Sequence, residues 1–481
     1  MEKRVFGLVL PLLILVVLAL LVLKGEGFGA VETDGRADSE RGGETLAAMR
    51  EATLTSAYEE VLLQAPTTEI LALMTKADPV TDRKTVPDTE VVSVMAAVTE
   101  GTSGKGALVT EFADAFVVIP EEEGKHETVV TGFADTLPLK LPVAKPYMAE
   151  EMEAVYVATA YGLDFPSVPG LSERELKGEL EAMVERVKKQ GANAVIFQVR
   201  PFADAFYDSA IFPVSRYLAG VEGGKLTLDP LAFLVELAHR EGIAVHVWVN
   251  PFRVGALSTL SPQNPAAKHP EWLLFVGGGV YFDPALEGVR RLITDGVCEL
   301  VAKYDLDGVL FDDYFYPSGI EGEDASAYAD YLAGGGSLSL GDFRRENVNR
   351  LIESVYKAVK ALDEDCQLGV APRGVWRNAA DDPRGSETYG GSAYDEIYCD
   401  ALAWVERGIV DYLAPQLYWP LDSEVCPFGT LAAWWDGALS GSGISLVVSL
   451  AAYTMSEKEI ADQIDFLQGL ATYGGYALYR P

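Results

Sequence analysis

From about residue 154 to its end, this chain alternates short apolar runs with stretches of helical periodicity, and that alternation leaves few folds open to it. Apolar runs bounded by turn residues lie at Ala154–Tyr161, Ala194–Arg200, Ala244–Asn250, Gly308–Asp313, Gln367–Ala371, Tyr412–Gln416, Ser445–Leu450 and Tyr476–Tyr479. Between them the apolar spacing predicts helices over Glu173–Gln190, Pro230–Glu241, Leu286–Tyr304, Phe343–Leu362, Tyr394–Glu406, Leu431–Leu439 and Ser456–Leu470. Ser172, Asp229 and Ser456 stand where N-caps belong, and Pro230 is suited to a first helical position. Strands apolar on both faces and separated by helices belong in a parallel sheet covered on its outside. Eight such strands in one run predict closure, so the expected fold is α/β, a (β/α)8 TIM barrel over residues 151–481. The competing open, doubly wound sheet would carry a glycine-rich phosphate loop after an early strand, and no G-x-G-x-x-G follows one here. No helix follows the eighth strand before Pro481. Either the N-terminal segment covers that gap or the chain continues.

Ahead of the barrel the texture changes. Lys3 and Arg4 precede an apolar run from Val5 to Leu23, closed by Lys24. The run is long enough to cross a bilayer at roughly 1.5 Å per residue, and longer than the core of an ordinary signal peptide. Residues 1–24 are therefore expected to form a signal anchor or signal peptide, with the remainder exported. Residues 25–85 read as a linker with a short helix marked by Leu46, Met49, Thr53, Ala57 and Val61, and residues 86–150 as a small β-rich appendage. Within the appendage, Ala107–Ile119 and His126–Phe133 flank a Pro120–Gly124 turn and suggest a hairpin. The expected location is extracytoplasmic, anchored or secreted, with membrane contact through the N-terminal segment only.

Charge and metal-ligand content narrow the chemistry. With 38 Lys and Arg against 72 Asp and Glu, the chain carries −34 charges, and no basic stripe runs along it. Nucleic acid and anionic lipid surfaces are thus not expected partners. Cys298, Cys366, Cys399 and Cys426 show no C-x-x-C spacing; buried free thiols are the default, and a pairing outside the cell stays open. His239 falls on a predicted helix, His269 in a loop and His246 within the third strand, so neither a metal site nor a cofactor is expected.

In barrels of this kind, function gathers at the C-terminal ends of the strands. Six ends carry polar, charged or aromatic groups directly after an apolar run. These include Asp164 after strand one, Arg200 and Asp204 at strand two, Asn250 and Arg253 at strand three, and Asp312, Asp313 and Tyr314 at strand four. Strand five leads into Arg373, Trp376, Arg377 and Asn378, and strand six into Gln416, Tyr418 and Trp419. Flat rings cover the apolar faces of sugars, while Arg, Asn, Gln and Asp hold hydroxyls, so the pattern suits a polysaccharide site. Glycosidic cleavage needs a carboxyl group to protonate the leaving oxygen. Asp312 and Asp313 are the candidate catalytic residues. Strand alternation turns only one of the two inward, expected to be Asp312 together with Leu310 and Tyr314, leaving Asp313 to support it or bind the loop. Asp164 or Asp204 is the alternative second carboxylate. Arg200, Arg253, Arg373 and Arg377 either clamp an anionic sugar substituent or pair with these same acids, and Trp376 and Trp419 are ring platforms or packing.

The strings Val157–Ser167 (VATAYGLDFPS), Gln198–Pro201 (QVRP), Asp307–Pro317 (DGVLFDDYFYP) and Pro415–Trp419 (PQLYW) together resemble the glycosyl-hydrolase-like family 10 proteins. The resemblance covers residues 151–481 and excludes the segment before 150. It implies a TIM-type barrel that hydrolyses cell-wall glycans, as a relative does on peptidoglycan strands stripped of their stem peptides, with the tandem acids falling on Asp312 and Asp313. The family 18 chitinase pattern D-G-x-D-x-D-x-E is echoed at Asp307-Gly308 and Asp312, but Leu310 and Tyr314 occupy the places of its other acids. A single inward acid fits cleavage assisted by the substrate's own acetamido group. The expected activity is an O-glycosyl hydrolase acting on an extracellular N-acetylated polysaccharide. The alternatives are a non-catalytic glycan-binding barrel and a hydrolase of a neutral α-linked polysaccharide with Asp312 as nucleophile.

Overall fold

The structure, a computed structural model, describes residues 151–481. The expected anchor, linker and β-rich appendage lie outside the described residues. Among the described residues no helix is long and apolar enough to cross a membrane.

Eight parallel strands close into a barrel: β1 (Met152–Val157), β2 (Ala194–Arg200), β3 (Ala244–Val249), β6 (Gly308–Phe311), β7 (Gln367–Val370), β8 (Tyr412–Leu413), β9 (Ser445–Leu450) and β10 (Tyr473–Tyr479). They follow one another round the cylinder in chain order, and β10 pairs with β1 through Met152↔Gly475 to Tyr156↔Tyr479. Alternate residues sort into two cores. Ala154, Tyr156, Ile196, Trp248, Leu310, Tyr412, Val447 and Ala477 fill the lumen. Their neighbours Val155, Val195, Phe197, Val247, Val309 and Phe311 face outward and pack beneath the helices.

The outer layer comprises α1 (Glu173–Lys189), α2 (Pro230–Arg240), α3 (Glu287–Lys303), α4 (Ala325–Ala333), α5 (Leu340–Leu362), α6 (Ala401–Arg407), α7 (Phe428–Leu439) and α8 (Glu457–Leu467). The predicted caps form. Ser172 and Glu175 make a reciprocal capping box on α1, Asp229 accepts the N–H groups of Leu231 and Ala232 on α2, and Ser456 accepts that of Glu459 on α8.

Four features depart from expectation. The single helix predicted over Tyr394–Glu406 breaks, because Tyr398 takes a left-handed φ of 55° and Asp400 caps α6 afresh by accepting the Ala403 N–H. An antiparallel hairpin, β4 (Leu273–Val276) with β5 (Gly279–Phe282), was not foreseen, nor was α4. The hairpin turns on Gly277 and Gly278, both at positive φ, a recognisable turn signal. The strand predicted to reach Gln416 ends as a regular strand at Leu413, shortly before Pro415, which has no N–H to give to a ladder.

The lower barrel explains why Asp307-Gly308 stands where an acid-rich motif was suspected. Asp307 Oδ2 accepts the Val245 N–H at 2.6 Å and lies 2.9 Å from His239 Nε2, tying β3 and α2 to the base of β6. A Cβ on Gly308 would lie 2.2 Å from His246 Nδ1, and one on Gly369 would lie 2.1 Å from the Tyr412 ring. The two glycines thus admit the hydrogen-bonded pair His246 and Tyr412, whose Nδ1 and hydroxyl are 2.9 Å apart in the lumen. All four cysteines are buried and free.

The loop that leaves β6 is pinned from outside by Arg344 on α5. Its guanidinium donates to both Asp324 oxygens at 2.8 and 2.6 Å, to the carbonyls of Glu321 and Ile320, and to the Tyr398 hydroxyl at 2.7 Å. Arg344 and Asp324 are both buried, so removing the cation strands a carboxylate away from water. Arg344→Ala is expected to lower unfolding free energy by about 3–5 kcal/mol, read as a shift of the denaturant midpoint. A shift below about 1 kcal/mol would show that the pair contributes no more than a surface bridge.

Candidate active site

The β6 strand delivers Asp312 to the top of the lumen on the inward parity of Leu310. Its side chain is 4% exposed. Oδ2 accepts two side-chain donors, Trp248 Nε1 at 2.8 Å and Asn250 Nδ2 at 2.6 Å, both on the inward face at the end of β3. Oδ1 accepts the Tyr314 N–H at 3.3 Å. Burial, reinforced by the negative charge of Asp313, pushes the Asp312 carboxyl well above the usual carboxylate range; the Trp248 bond, the Tyr314 N–H and the Arg253 charge only partly oppose this. A protonated Asp312 therefore carries its proton on Oδ1, because Oδ2 is already faced by two donors.

The orientation of Asn250 follows from a chain of amides. The N–H groups of Thr159 and Ala160 both donate to Gln198 Oε1 at 2.9 Å, which turns Gln198 Nε2 onto Asn250 Oδ1 at 2.7 Å. Asn250 is left to present its NH2 to Asp312. The main chain at the end of β1 thus dictates, through two side-chain amides, which oxygen of Asp312 is held as an acceptor.

Asp313 points to the other side of the same rim and is half-buried. Its Oδ2 accepts Arg373 Nε at 3.3 Å and its Oδ1 accepts Gln416 Nε2 at 3.1 Å, so β6, β7 and β8 meet at this carboxylate. Gln416 is itself anchored on the Ala371 carbonyl at 3.0 Å, and Arg373 also pairs with Glu396 at 2.7 Å. Tyr314 leaves the strand parity: it is 45% exposed, with the Arg253 guanidinium 5.1 Å from its ring centre. An inward Tyr314 was expected from alternation, but the regular strand stops at Phe311 and the inward parity reaches only as far as Asp312.

Aromatic rings wall the opposite side. Tyr479, the last inward residue of β10, stacks with Tyr418 at 6.0 Å and meets Tyr453, Tyr156 and Trp248 edge-on at 5.7, 5.8 and 6.4 Å. Tyr453 is exposed, so this wall reaches solvent. Burial raises the Tyr418 phenol well above its ordinary value, with Asp313 adding to the effect. Gln198, Trp248, Tyr453 and Tyr479 were not among the site residues read from the sequence. For Gln198, Trp248 and Tyr479 the signal was inward parity on β2, β3 and β10.

Other predicted residues lie elsewhere. Arg200 is buried behind the rim, donating to the carbonyls of Asn250 and Pro251 at 3.2 and 2.8 Å and lying over Phe212. Asp164 caps its own turn through the Ala158 N–H and pairs with Arg480 at 3.2 Å. Asp204 is buried, its carboxyl pushed up to about 7 by burial; a Ser215 hydrogen bond opposes the shift and the Glu222 charge adds to it. Trp376 is 1% exposed and stacks against Trp434, donating to Asp400 at 3.2 Å, so it offers no open face for a sugar. Arg377 is held by Asp395 and Asp382, and Asn378 donates to Asp381 and the Gly390 carbonyl. Trp419 is half-buried over Gly374, where a Cβ would come within 2.8 Å of its ring. No group of His, Cys, Asp and Glu among the described residues has the arrangement of a metal site.

Known proteins resemble this chain as follows. The family model described as Glycosyl hydrolase-like 10 matches residues 151–467. The chain is 40% identical over 326 residues to "Glycosyl hydrolase YngK" of Bacillus subtilis, covering 65% of this chain and 64% of that protein. It thus spans less than two thirds of that relative's length. It is 33% identical over 376 residues to "Glycosyl hydrolase DigH" of Escherichia coli K12, covering 71% of this chain and 85% of the relative. Among solved structures, the PgaB (BpsB) glycoside hydrolase domain from Bordetella bronchiseptica aligns with a TM-score of 0.48 at 14% identity, over 69% of this chain and 94% of that one.

Proposed function

From the premise that this chain belongs to the glycosyl hydrolase-like 10 family, we propose that it is a glycoside hydrolase of an N-acetylated polysaccharide, the glycan strands of peptidoglycan, with Asp312 as general acid. The observation that carries this reading is the Asp312 carboxyl itself. It is buried, engaged on one oxygen by Trp248 and Asn250, and its carboxyl is raised well above the usual carboxylate range by burial and by Asp313. In the reaction, Asp312 Oδ1 gives its proton to the glycosidic oxygen, the bond from that oxygen to the anomeric carbon breaks, and the departing sugar leaves with a free hydroxyl. The acetamido carbonyl oxygen of the cleaved sugar closes on the anomeric carbon, and water then opens that ring and returns a proton to Asp312. Asp313, oriented by Arg373 and Gln416, supplies negative charge opposite the developing cation. The rings of Tyr418, Tyr453 and Tyr479 are suited to the apolar faces of the sugars. The Val5–Leu23 run behind Lys3 and Arg4 supports a substrate outside the cytoplasm.

Product analysis by mass spectrometry on peptide-free strands tests the activity: new reducing ends are expected, and saturable binding without them would reduce the protein to a glycan-binding barrel. The roles of the two acids separate with an activated leaving group. An aryl glycoside that needs no protonation should restore much of the rate to Asp312→Asn. Asp313→Asn should stay slower by about 10²–10³-fold on both substrates. Rescue of both variants, or of Asp313→Asn alone, would reverse or void the assignment.

A further inference from the structure

The loops that follow β2 and β3 are joined at a buried polar cluster that the chemistry above does not use. Asn264, fully buried on the second loop, divides its Nδ2 between the Ala203 carbonyl at 2.7 Å and Glu222 Oε1 at 3.1 Å, both on the first. The other Glu222 oxygen accepts the Ser261 N–H, and the Ala203 N–H donates to the Val254 carbonyl at 3.4 Å. Asp204, the next residue, is 3% exposed, and its Oδ1 receives no hydrogen bond among the described residues. The Ser215 hydroxyl and the Phe202 main chain meet the carboxyl without offsetting its burial, and the Glu222 charge adds to that burial. The cations whose fields reach the two acids are engaged elsewhere. Arg216 donates to the Tyr217 hydroxyl at 2.6 Å and lies over that ring, and Arg200 donates to the Asn250 and Pro251 carbonyls. The groups that meet Glu222 from the loop after β3, Ser261 and Asn264, are uncharged. This junction backs one side of the active-site rim. Phe202, the residue before Ala203, lies 4.8 Å from the Arg253 guanidinium and 5.3 Å from the Tyr161 ring, and a Cβ on Gly255 would lie 3.3 Å from its own ring.

We propose that Asp204 and Glu222 form a proton-held clasp between these two loops, closed while Asp204 is neutral, so that Phe202 and Arg253 are fixed at the rim in acid and released towards neutral pH. A neutral Asp204 turns its O–H towards Glu222, whose carboxylate keeps Ser261 and Asn264 in place. Ionised, Asp204 sets a second negative charge beside Glu222 in a pocket where it is closed off from water, and only parting the loops lets it hydrate. The buried carboxyl accordingly keeps its proton to about 7. An Asp in an opened loop, met by water, releases it near pH ~4. Below that pH the closed and open forms both hold the proton, and opening is independent of pH. From there to about pH 7 only the closed form holds it, so each rise in pH favours the open form. Above that both have lost it, and the equilibrium levels off.

Hydrogen exchange on the full chain, with no substrate present, provides the test. Peptides covering residues 202–224 and 252–266 give the opening equilibrium of each loop once intrinsic exchange is divided out, and peptides of α5 give that of global unfolding. In the wild type both loops should exchange faster than α5. Their opening should grow by up to about tenfold per pH unit between about pH 4 and pH 7, and then level off. Asp204→Asn, whose NH2 stands in for the O–H, should lose that slope and keep both loops protected at neutral pH. Glu222→Gln removes the negative neighbour that helps to hold the proton, so its plateau should begin at a lower pH than in the wild type. That shift decides the matter should Asp204→Asn fail to fold. The same slope in wild type and Asp204→Asn, a plateau unmoved in Glu222→Gln, or loops that open only as often as α5 would overturn the clasp.

Discussion

Asp312→Asn is expected to lose about a thousandfold in kcat on peptide-free glycan strands and, at neutral pH, to unfold at a higher temperature than the wild type. The two effects have one origin. Asp312 is buried with a carboxyl raised well above the ordinary range, first by desolvation and then by Asp313. Below about pH 4 both the folded and the unfolded chain hold this proton, and the residue contributes no pH dependence. As the pH rises past that point the unfolded chain releases the proton while the folded one retains it, so folding is progressively disfavoured up to the raised folded value. Asparagine is free of that penalty. Its carbonyl oxygen fits the Oδ2 position and accepts from Trp248 and Asn250, and its amide falls at Oδ1, where only the long Tyr314 bond is lost. The difference in Tm between variant and wild type should thus be near zero or slightly negative at pH 4 and grow with pH. On the proposed reading, stability is exchanged here for a carboxyl that keeps a proton to give. A variant as active as wild type would remove Asp312 from the chemistry; a Tm difference that is flat from pH 4 to pH 8 would show that the carboxyl is not held protonated.

The barrel was legible because its strands are short, apolar and regularly spaced, and because its helices announce themselves with Ser172, Asp229 and Ser456. The inward turn of Asp312 followed from period-two alternation, which holds as long as the strand does. Tyr314 shows where that logic runs out, three residues beyond the last ladder position. The loops were much less legible. Whether an arginine is free depends on acids that the fold brings to it. Asp395 and Glu396, which take Arg377 and Arg373, lie 18 and 23 residues downstream, on a short helical turn that ends before Tyr398, where the helix predicted from the apolar spacing breaks. Trp376 looked like a sugar platform because it follows a strand, yet it is covered by Trp434 from α7, more than fifty residues further along. Gln198 carried no such ambiguity. It is the polar exception on the inward parity of a fully buried strand, and a buried amide must have partners.

That amide carries the second large expected effect. Gln198→Glu should lower kcat at neutral pH by about a hundredfold and regain much of the loss as the pH falls. Gln198 accepts on one side from Thr159 and Ala160 and donates on the other to Asn250. An ionised glutamate keeps the first set of bonds and turns the second into a contact of acceptor with acceptor. Asn250 relieves it by rotating, donating its NH2 to Glu and presenting its carbonyl to Asp312. The Asp312 oxygen that had been held by two donors keeps the Trp248 N–H but faces an acceptor in place of the other, and the proton moves from Oδ1 to Oδ2, pointing into the barrel instead of out to the glycosidic oxygen of the proposed reaction. At low pH the introduced acid is protonated, its O–H stands in for the missing N–H, and Asn250 turns back. The ratio of wild-type to variant kcat should therefore shrink as pH drops. Gln198→Met, with no proton to regain, should stay impaired by the same factor throughout. A Gln198→Glu ratio as independent of pH as the methionine's would mean that the amide chain only fills space and does not choose which oxygen of Asp312 bears the proton.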